Sequence, residues 1–209
     1  KKGVSLGRVR VSRSSGGRLL KVAPIFFQTP LRMGAAFGTR AKEAKVVMLG
    51  LDNGGKTTIL NTLCSGNGYE VAPTHGFNVQ ALRKGDLTLR VHDIGGQQSS
   101  WRLWPTFLEA VDVVIFVVDS SDRARLHDVA AALKLLLANG DLAGIPMLLW
   151  ANKQDLLNSM TTAEIVQSLD LQLIKDRSFQ VIGCSARSLK GLSEGIDWIS
   201  GVHLGTSTK

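Results

Sequence analysis

Four short stretches carry side chains whose types and spacing suit work on a polyphosphate attached to a purine. The first runs Gly50-Leu51-Asp52-Asn53-Gly54-Gly55-Lys56-Thr57-Thr58 and fits the pattern G-x-x-x-x-G-K-[ST]. Glycines let such a backbone curl until successive N–H groups face phosphate oxygens. A helix starting at the lysine adds its positive end. Lys56 supplies a point charge for the β- and γ-phosphates, and the Thr57 hydroxyl is an oxygen ligand for Mg²⁺. A plain glycine-rich turn would account for the glycines but not for the Lys-Thr pair.

The second stretch is "HDIGGQ", ending at Gln97. Asp93 is placed to hold Mg²⁺, directly or through water, and Gly96 can bring a backbone N–H close to a γ-phosphate. Gln97 can orient an attacking water. The third, "NKQD", spans Asn152 to Asp155. A carboxylate at Asp155 accepts both donors on the N1/N2 edge of guanine, a pair that adenine lacks, and leaving it unpaired with the wrong base is costly. Asn152 would tie the base loop to the phosphate loop, and the Lys153 stem would lie along the purine face. The fourth, "CSA", places Ser185 and Ala186 where the Ala186 N–H can donate to guanine O6. Alone, the second and fourth are weak signals. In this order and after a phosphate loop, the four describe one guanine-nucleotide site.

Elements must hold these loops, and the chain supplies them. "KVVML" reads as a buried strand before the glycine turn, and "KTTILNTLC" as the helix after it. "FNVQALR" and "LTLRVHD" flank Lys84-Gly85-Asp86, a hairpin signal. "VVIFVVD" and "PMLLWAN" are continuous apolar runs, as strands covered on both faces should be. Between them the spacing predicts a helix whose inward stripe is Leu126, Val129, Ala130, Leu133, Leu136 and Leu137, ending at Asn139-Gly140. "TTAEIVQSL" is a short helix capped by Thr161 or Thr162, "FQVIGCS" the last strand and "GLSEGIDWISGV" the last helix. The alternation predicts a three-layer α/β fold with a six-stranded, mostly parallel sheet, one antiparallel hairpin strand and about five helices. Ligands in such sheets sit at the C-terminal ends of strands, where all four stretches fall.

Charge narrows the partners. The formal net charge is +8, but residues 1–42 hold ten Lys/Arg and no Asp/Glu, while the remainder holds fifteen against seventeen. The basicity belongs to an N-terminal extension, so the domain over 43–203 is not expected to bind nucleic acid. The chain closes with a short tail over 204–209. Cys64 and Cys184 form no metal-ligand spacing and no disulfide framework. The longest apolar run, Val113–Val118, is too short to span a bilayer.

With "GLDNGGKTT", "PTHGFNV", "DIGGQ", "ANKQD" and "CSA" in order, the chain from Val46 to Val202 resembles the Arf and Arf-like branch of the Ras-superfamily GTPases. The resemblance implies a P-loop GTPase fold and a switch that cycles between GDP and GTP. Such a switch hydrolyses GTP slowly and serves membrane, vesicle or lipidated-cargo trafficking. It implies Thr74 as the residue that closes over Mg²⁺ and the γ-phosphate, making Gln97, Lys56 and Thr74 the catalytic set. It implies an exchange factor, an activating protein and effectors as partners of a monomer. The effector surface is expected at Phe77, His92, Trp101, Trp104 and Phe107. His92 stands where relatives usually carry Trp and is expected to be a solvated strand residue. Trp101-Arg102 and Pro105 also depart from the usual pattern, and Trp101 is expected either in core packing or, by a slight preference, as an exposed anchor. These departures keep open a second class, a GTP-binding scaffold with little turnover. An ATPase is a third reading that competition with ATP would expose.

Met33-Gly34 resembles the branch's usual start, so Gly34 is a candidate myristoylation site, although Gly38 stands where Ser or Thr is preferred. The expected setting is cytoplasmic with weak, reversible membrane association, at Golgi or cilium, because one acyl chain anchors only marginally. Residues 1–32 also have transit-peptide composition, and organelle import is the competing expectation. Intact-mass analysis of the cellular protein separates the two. A myristoylated chain beginning at Gly34 is the expected result, and a chain cut within or retaining residues 1–32 rejects it.

Overall fold

The computed structural model describes residues 42–65 and 77–205. In chain order it contains β1 (Lys42–Leu49), α1 (Lys56–Ser65), β2 (Phe77–Lys84) and β3 (Leu87–Ile94). A long 3-10 segment (Gln98–Phe107), β4 (Val113–Asp119) and α2 (Leu126–Leu137) follow. The chain then forms β5 (Met147–Asn152), α3 (Thr162–Ser168), β6 (Phe179–Gly183) and α4 (Leu192–Leu204). The sheet runs β2-β3-β1-β4-β5-β6, with the β2–β3 pair antiparallel and the other pairs parallel. The four α-helices and the long 3-10 segment match the expected set of about five, and short 3-10 turns lie at Arg123–Arg125, Gly140–Leu142 and Leu171–Leu173. β1 begins at Lys42, the last residue of the basic stretch. Residues 1–41, including Gly34, lie outside the described residues.

Period-two alternation within the strands builds two cores. Val47, Leu49, Val114, Phe116 and Leu149 face α2 and α3 and pack with Val129, Leu133, Leu136 and Ile165. Val46, Met48, Ile115, Val117, Leu148 and Trp150 face the other way, onto Ile59 and Leu60 of α1 and Ile196 and Ile199 of α4. All seven residues of β4 are buried, which is why its sequence is continuously apolar rather than alternating. Each such Val, Ile or Leu contributes roughly 1.5–3 kcal/mol by leaving water.

The α2 stripe differs in one respect from its expected form. Ala132 is buried and Ala130 exposed. Alanines run unbroken through Ala130–Ala132, so residue type could not fix which of them turns inward; the sheet decides. Thr161 caps α3 as expected, with a full capping box to Glu164. The Lys84–Leu87 hairpin closes through Gly85, whose φ is 56°.

α4 lies against β5 so closely that a Cβ on Gly195 would fall 2.4 Å from Trp150 Nε1 and 2.5 Å from its Cζ2. Trp150 is fully buried and cannot yield. Gly195→Ala is therefore expected to destabilise the domain by about 1–3 kcal/mol through overpacking. A urea melt checks this, the midpoint falling with no change in slope.

Candidate functional site: a phosphate loop joined to a purine loop

Strand register assembles the site. Asp93 pairs with Met48 across β3 and β1, and Asp119 pairs with Asn152 across β4 and β5. The C-terminal ends of β1, β3, β4 and β5 thus meet on one rim. Gly50 to Gly55 bridges from β1 to α1 there, and Asn53 adopts a left-handed φ of 57°.

Lys56 opens α1 and is only 6% exposed. Its ammonium donates to the Gly50 carbonyl at 3.1 Å and the Leu51 carbonyl at 2.9 Å. Burial lowers its pKa, and the Asp93 and Asp52 carboxylates oppose that shift. Thr57 Oγ1 donates to Asp93 Oδ2 at 2.5 Å, and Asp93 is fully buried. A hydroxyl and a carboxylate converging behind a phosphate loop are hard oxygen donors, and they fit Mg²⁺, which takes few protein ligands and completes its shell with phosphate and water. Thr58 is half-buried in the first turn of the helix. Thr74, the third expected metal ligand, lies outside the described residues.

The chain after β3 packs directly on the phosphate loop. A Cβ on Gly96 would lie 2.3 Å from the Leu51 carbonyl carbon and 2.4 Å from the Asp52 nitrogen, so only glycine permits this approach. Gln97 follows it and is exposed, with extended backbone at φ −62° and ψ 143°.

Two tryptophans brace this turn, and the expectation for them changes. Trp104, placed by resemblance on the effector surface, is buried in the core and donates its indole N–H to the Gly95 carbonyl at 3.3 Å. Trp101 is half-buried, donates to the Gly96 carbonyl at 3.2 Å and lies 5.6 Å from Trp104, the two rings tilted by 37°. Neither is a free anchor. The 3-10 segment, with Pro105 inside it, turns both rings under the glycine pair.

Of the other expected surface residues, Phe77 is 57% exposed and its ring lies 5.0 Å from that of Phe107. His92 is half-buried rather than fully solvated. Burial, together with the Lys45 and Arg90 charges, pushes its imidazole below the usual range and favours the neutral form. Val79, not singled out in the sequence, pairs with His92 across the hairpin and is also exposed.

Asn152 joins the two halves of the site. Its Nδ2 donates to the Gly54 carbonyl at 2.9 Å, as its expected bridging role requires. Its Oδ1 accepts from the Ala186 N–H at 3.1 Å, so the donor expected to face guanine O6 is engaged by Asn152 here. Lys153 takes a left-handed φ of 66° and pairs with Asp119 Oδ2 at 2.6 Å. Asp119 also accepts from Ser121, and this anchoring offsets the strain at Lys153. Gln154 ties the loop to Ser120 and to the Met160 carbonyl. Asp155 stands exposed beyond it, and Ser185 is buried and accepts from the Ser188 N–H.

Sequence reasoning missed a cluster beside the phosphate loop. Arg125, just before α2, donates to Asp52 Oδ1 at 2.8 Å, to the Asp52 carbonyl at 3.3 Å and to Asp122 Oδ2 at 2.6 Å. The Arg125 guanidinium in turn holds the Asp122 carboxyl below its usual range. The polar run that follows β4 at its C-terminal end was the available signal, because that end is where ligands bind.

This architecture defines a guanine-nucleotide-binding α/β domain with a phosphate loop, and comparison with known proteins makes the class specific. Residues 31–203 match the model of the ADP-ribosylation factor family. Over 157 residues the chain is 41% identical to ADP-ribosylation factor-like protein 3 of Chlamydomonas reinhardtii, covering 75% of this chain and 89% of that one. It is 45% identical over 159 residues to ADP-ribosylation factor J of Dictyostelium discoideum, covering 76% and 85%. Among solved structures it is similar to the Arl6 BBS3 small GTPase of Trypanosoma brucei with bound GppNp. The TM-score there is 0.72, with 37% identity, 79% of this chain and all of that chain covered. The chain belongs to the ADP-ribosylation factor family. It is accordingly a small GTPase that binds GTP and GDP, hydrolyses GTP and works with exchange factors, activating proteins and effectors.

Gly55 has φ 91°, and a Cβ there would lie 2.3 Å from Asn152 Nδ2. Gly55→Ala is expected to add roughly 1–2 kcal/mol of backbone strain and to push Asn152 off Gly54. Affinity for fluorescent GDP should fall about tenfold in an equilibrium titration.

Proposed function

We propose that the chain is a slowly hydrolysing GTP switch whose nucleotide state sets the surface it offers to effectors, in the service of membrane or lipidated-cargo trafficking. The observation that carries this is the joining of three motifs at one rim: the Thr57–Asp93 pair, Gly96 packed on the phosphate loop, and Asn152 bridging to Gly54.

Transfer of the γ-phosphoryl group to water needs positioning and charge stabilisation more than covalent chemistry. Lys56 places a buried positive charge beside the loop carbonyls where the β- and γ-phosphates would lie. The Gly96 N–H is held at the same wall by the two tryptophan indoles. Gln97, exposed at the adjoining position, orients the water whose oxygen forms the new bond to phosphorus as the bond to GDP breaks. Thr57 and Asp93 would hold Mg²⁺, with Thr74 as the further ligand implied by resemblance, and the ion when bound neutralises phosphate charge. Arg125 is already committed to Asp52 and Asp122, so no arginine contact from it is available to the transition state. That supports slow intrinsic turnover and acceleration by an activating protein.

Loss of the γ-phosphate would remove a partner from the Gly96 N–H and so alter the neighbouring Phe77, Val79 and Phe107 surface. Monomeric behaviour in the cytoplasm, with reversible membrane contact through Gly34, belongs to the same proposal.

A single-turnover assay with labelled GTP, with and without cell lysate, tests it. Slow basal hydrolysis accelerated by lysate and reduced at least about tenfold by Gln97→Leu is the expected result. Binding without hydrolysis under either condition would leave the scaffold reading instead. Competition by ATP as effective as by GTP would overturn guanine selectivity.

A further inference from the structure

We infer that Arg125 is a positioning residue for the nucleotide, holding the Asp52 carbonyl away from the ligand and neutralising the Asp52 carboxylate that would otherwise oppose a polyphosphate. The inference rests on the GTP-binding reading above.

Asp52 sets up a conflict of charge. Asp52 is an acidic side chain within a loop whose ligand is a polyanion. Like charges at close range disfavour binding. The Asp52 carboxylate also acts on the Lys56 ammonium, the charge that the phosphates require. An uncompensated Asp52 would compete with the ligand for it.

Arg125 resolves the conflict in geometry. Its planar fork reaches Asp52 twice, through Nη1 to the carboxylate and through Nη2 to the backbone carbonyl. Its Nε is fixed by Asp122 Oδ2, and Asp122 Oδ1 accepts from the Arg125 backbone N–H. Asp122 is therefore the buttress that aims the guanidinium, and the 3-10 turn Arg123–Arg125, which runs straight into α2, carries it. A lysine there would supply charge but not the two-pronged hold.

The Asp52 side chain is 48% exposed and that of Arg125 31%, so solvent screens their attraction. The larger effect is expected on nucleotide residence, where loop geometry and field act together, rather than on folding.

The experiment is release of fluorescent GDP from the full chain, chased with excess GDP, in four variants. Arg125→Gln is expected to release about tenfold faster than wild type, and Arg125→Lys to fall between them. Asp52→Asn alone is expected to release no faster than wild type, because it removes the opposing charge and keeps an oxygen acceptor for the guanidinium. In the double variant Asp52→Asn/Arg125→Gln, release should return to within about threefold of wild type. Circular dichroism of each variant in excess nucleotide checks that it is folded.

Release from Arg125→Gln within about twofold of wild type overturns the inference. So does a double variant as fast as Arg125→Gln alone, which would leave Arg125 a packing residue of α2. If Arg125→Gln does not fold, the Asp52→Asn and Arg125→Lys rates decide, and a tenfold acceleration by Asp52→Asn overturns the inference. Wild-type protein that fails to take up labelled GDP would instead sink the nucleotide reading itself.

Discussion

A loop that turns its N–H groups toward a polyanion must turn its carbonyls away, and those carbonyls need donors of their own. Here they have them. Lys56 takes the carbonyls of Gly50 and Leu51, Arg125 that of Asp52, and Asn152 that of Gly54. The three donors come from α1, the 3-10 turn just before α2 and the end of β5. Satisfying one curled loop therefore draws together elements from across the sheet.

The same constraint links recognition of phosphate to recognition of base. Asn152 spends one end of its amide on Gly54 and the other on the Ala186 N–H. A single side chain thus fixes the spacing between the phosphate loop, the "NKQD" loop and the "CSA" loop. Lys153 holds a left-handed backbone conformation while its ammonium pairs with Asp119, buried at the end of β4. The burial of Cys184 beside Asn152 raises its thiol pKa and keeps it inert, so it serves as packing under the base loop.

On the γ-phosphate side the structure replaces an expected partner surface by an internal brace. Two indole N–H groups support the carbonyls of Gly95 and Gly96, and the rings behind them join the core around Leu108 and Leu136. Exposed apolar side chains on this side include Phe77 and Val79 of the hairpin, with Phe107 beside Phe77, and Leu103 of the 3-10 segment. A turn braced this way ties the loop that would sense the γ-phosphate to the core, and leaves the hairpin edge to face partners.

The sequence by itself determined the strands, the helix order and the motifs of the phosphate and guanine loops, whereas the Thr57–Asp93 hydrogen bond, 36 positions apart, needed the fold. The reason is that each of the former is local: a strand is a short apolar run, a phosphate loop a fixed spacing of glycines before Lys-Thr. The family followed from the order of those motifs. Tertiary structure alone decided which of the unbroken alanines in α2 faces inward, whether Trp101 and Trp104 point to solvent or to the core, and what Arg125 touches. Those outcomes depend on residues distant in the chain, such as Asp52 for Arg125, 73 positions away. A tryptophan in a surface segment and an arginine after a strand have many partners open to them, and only packing selects one.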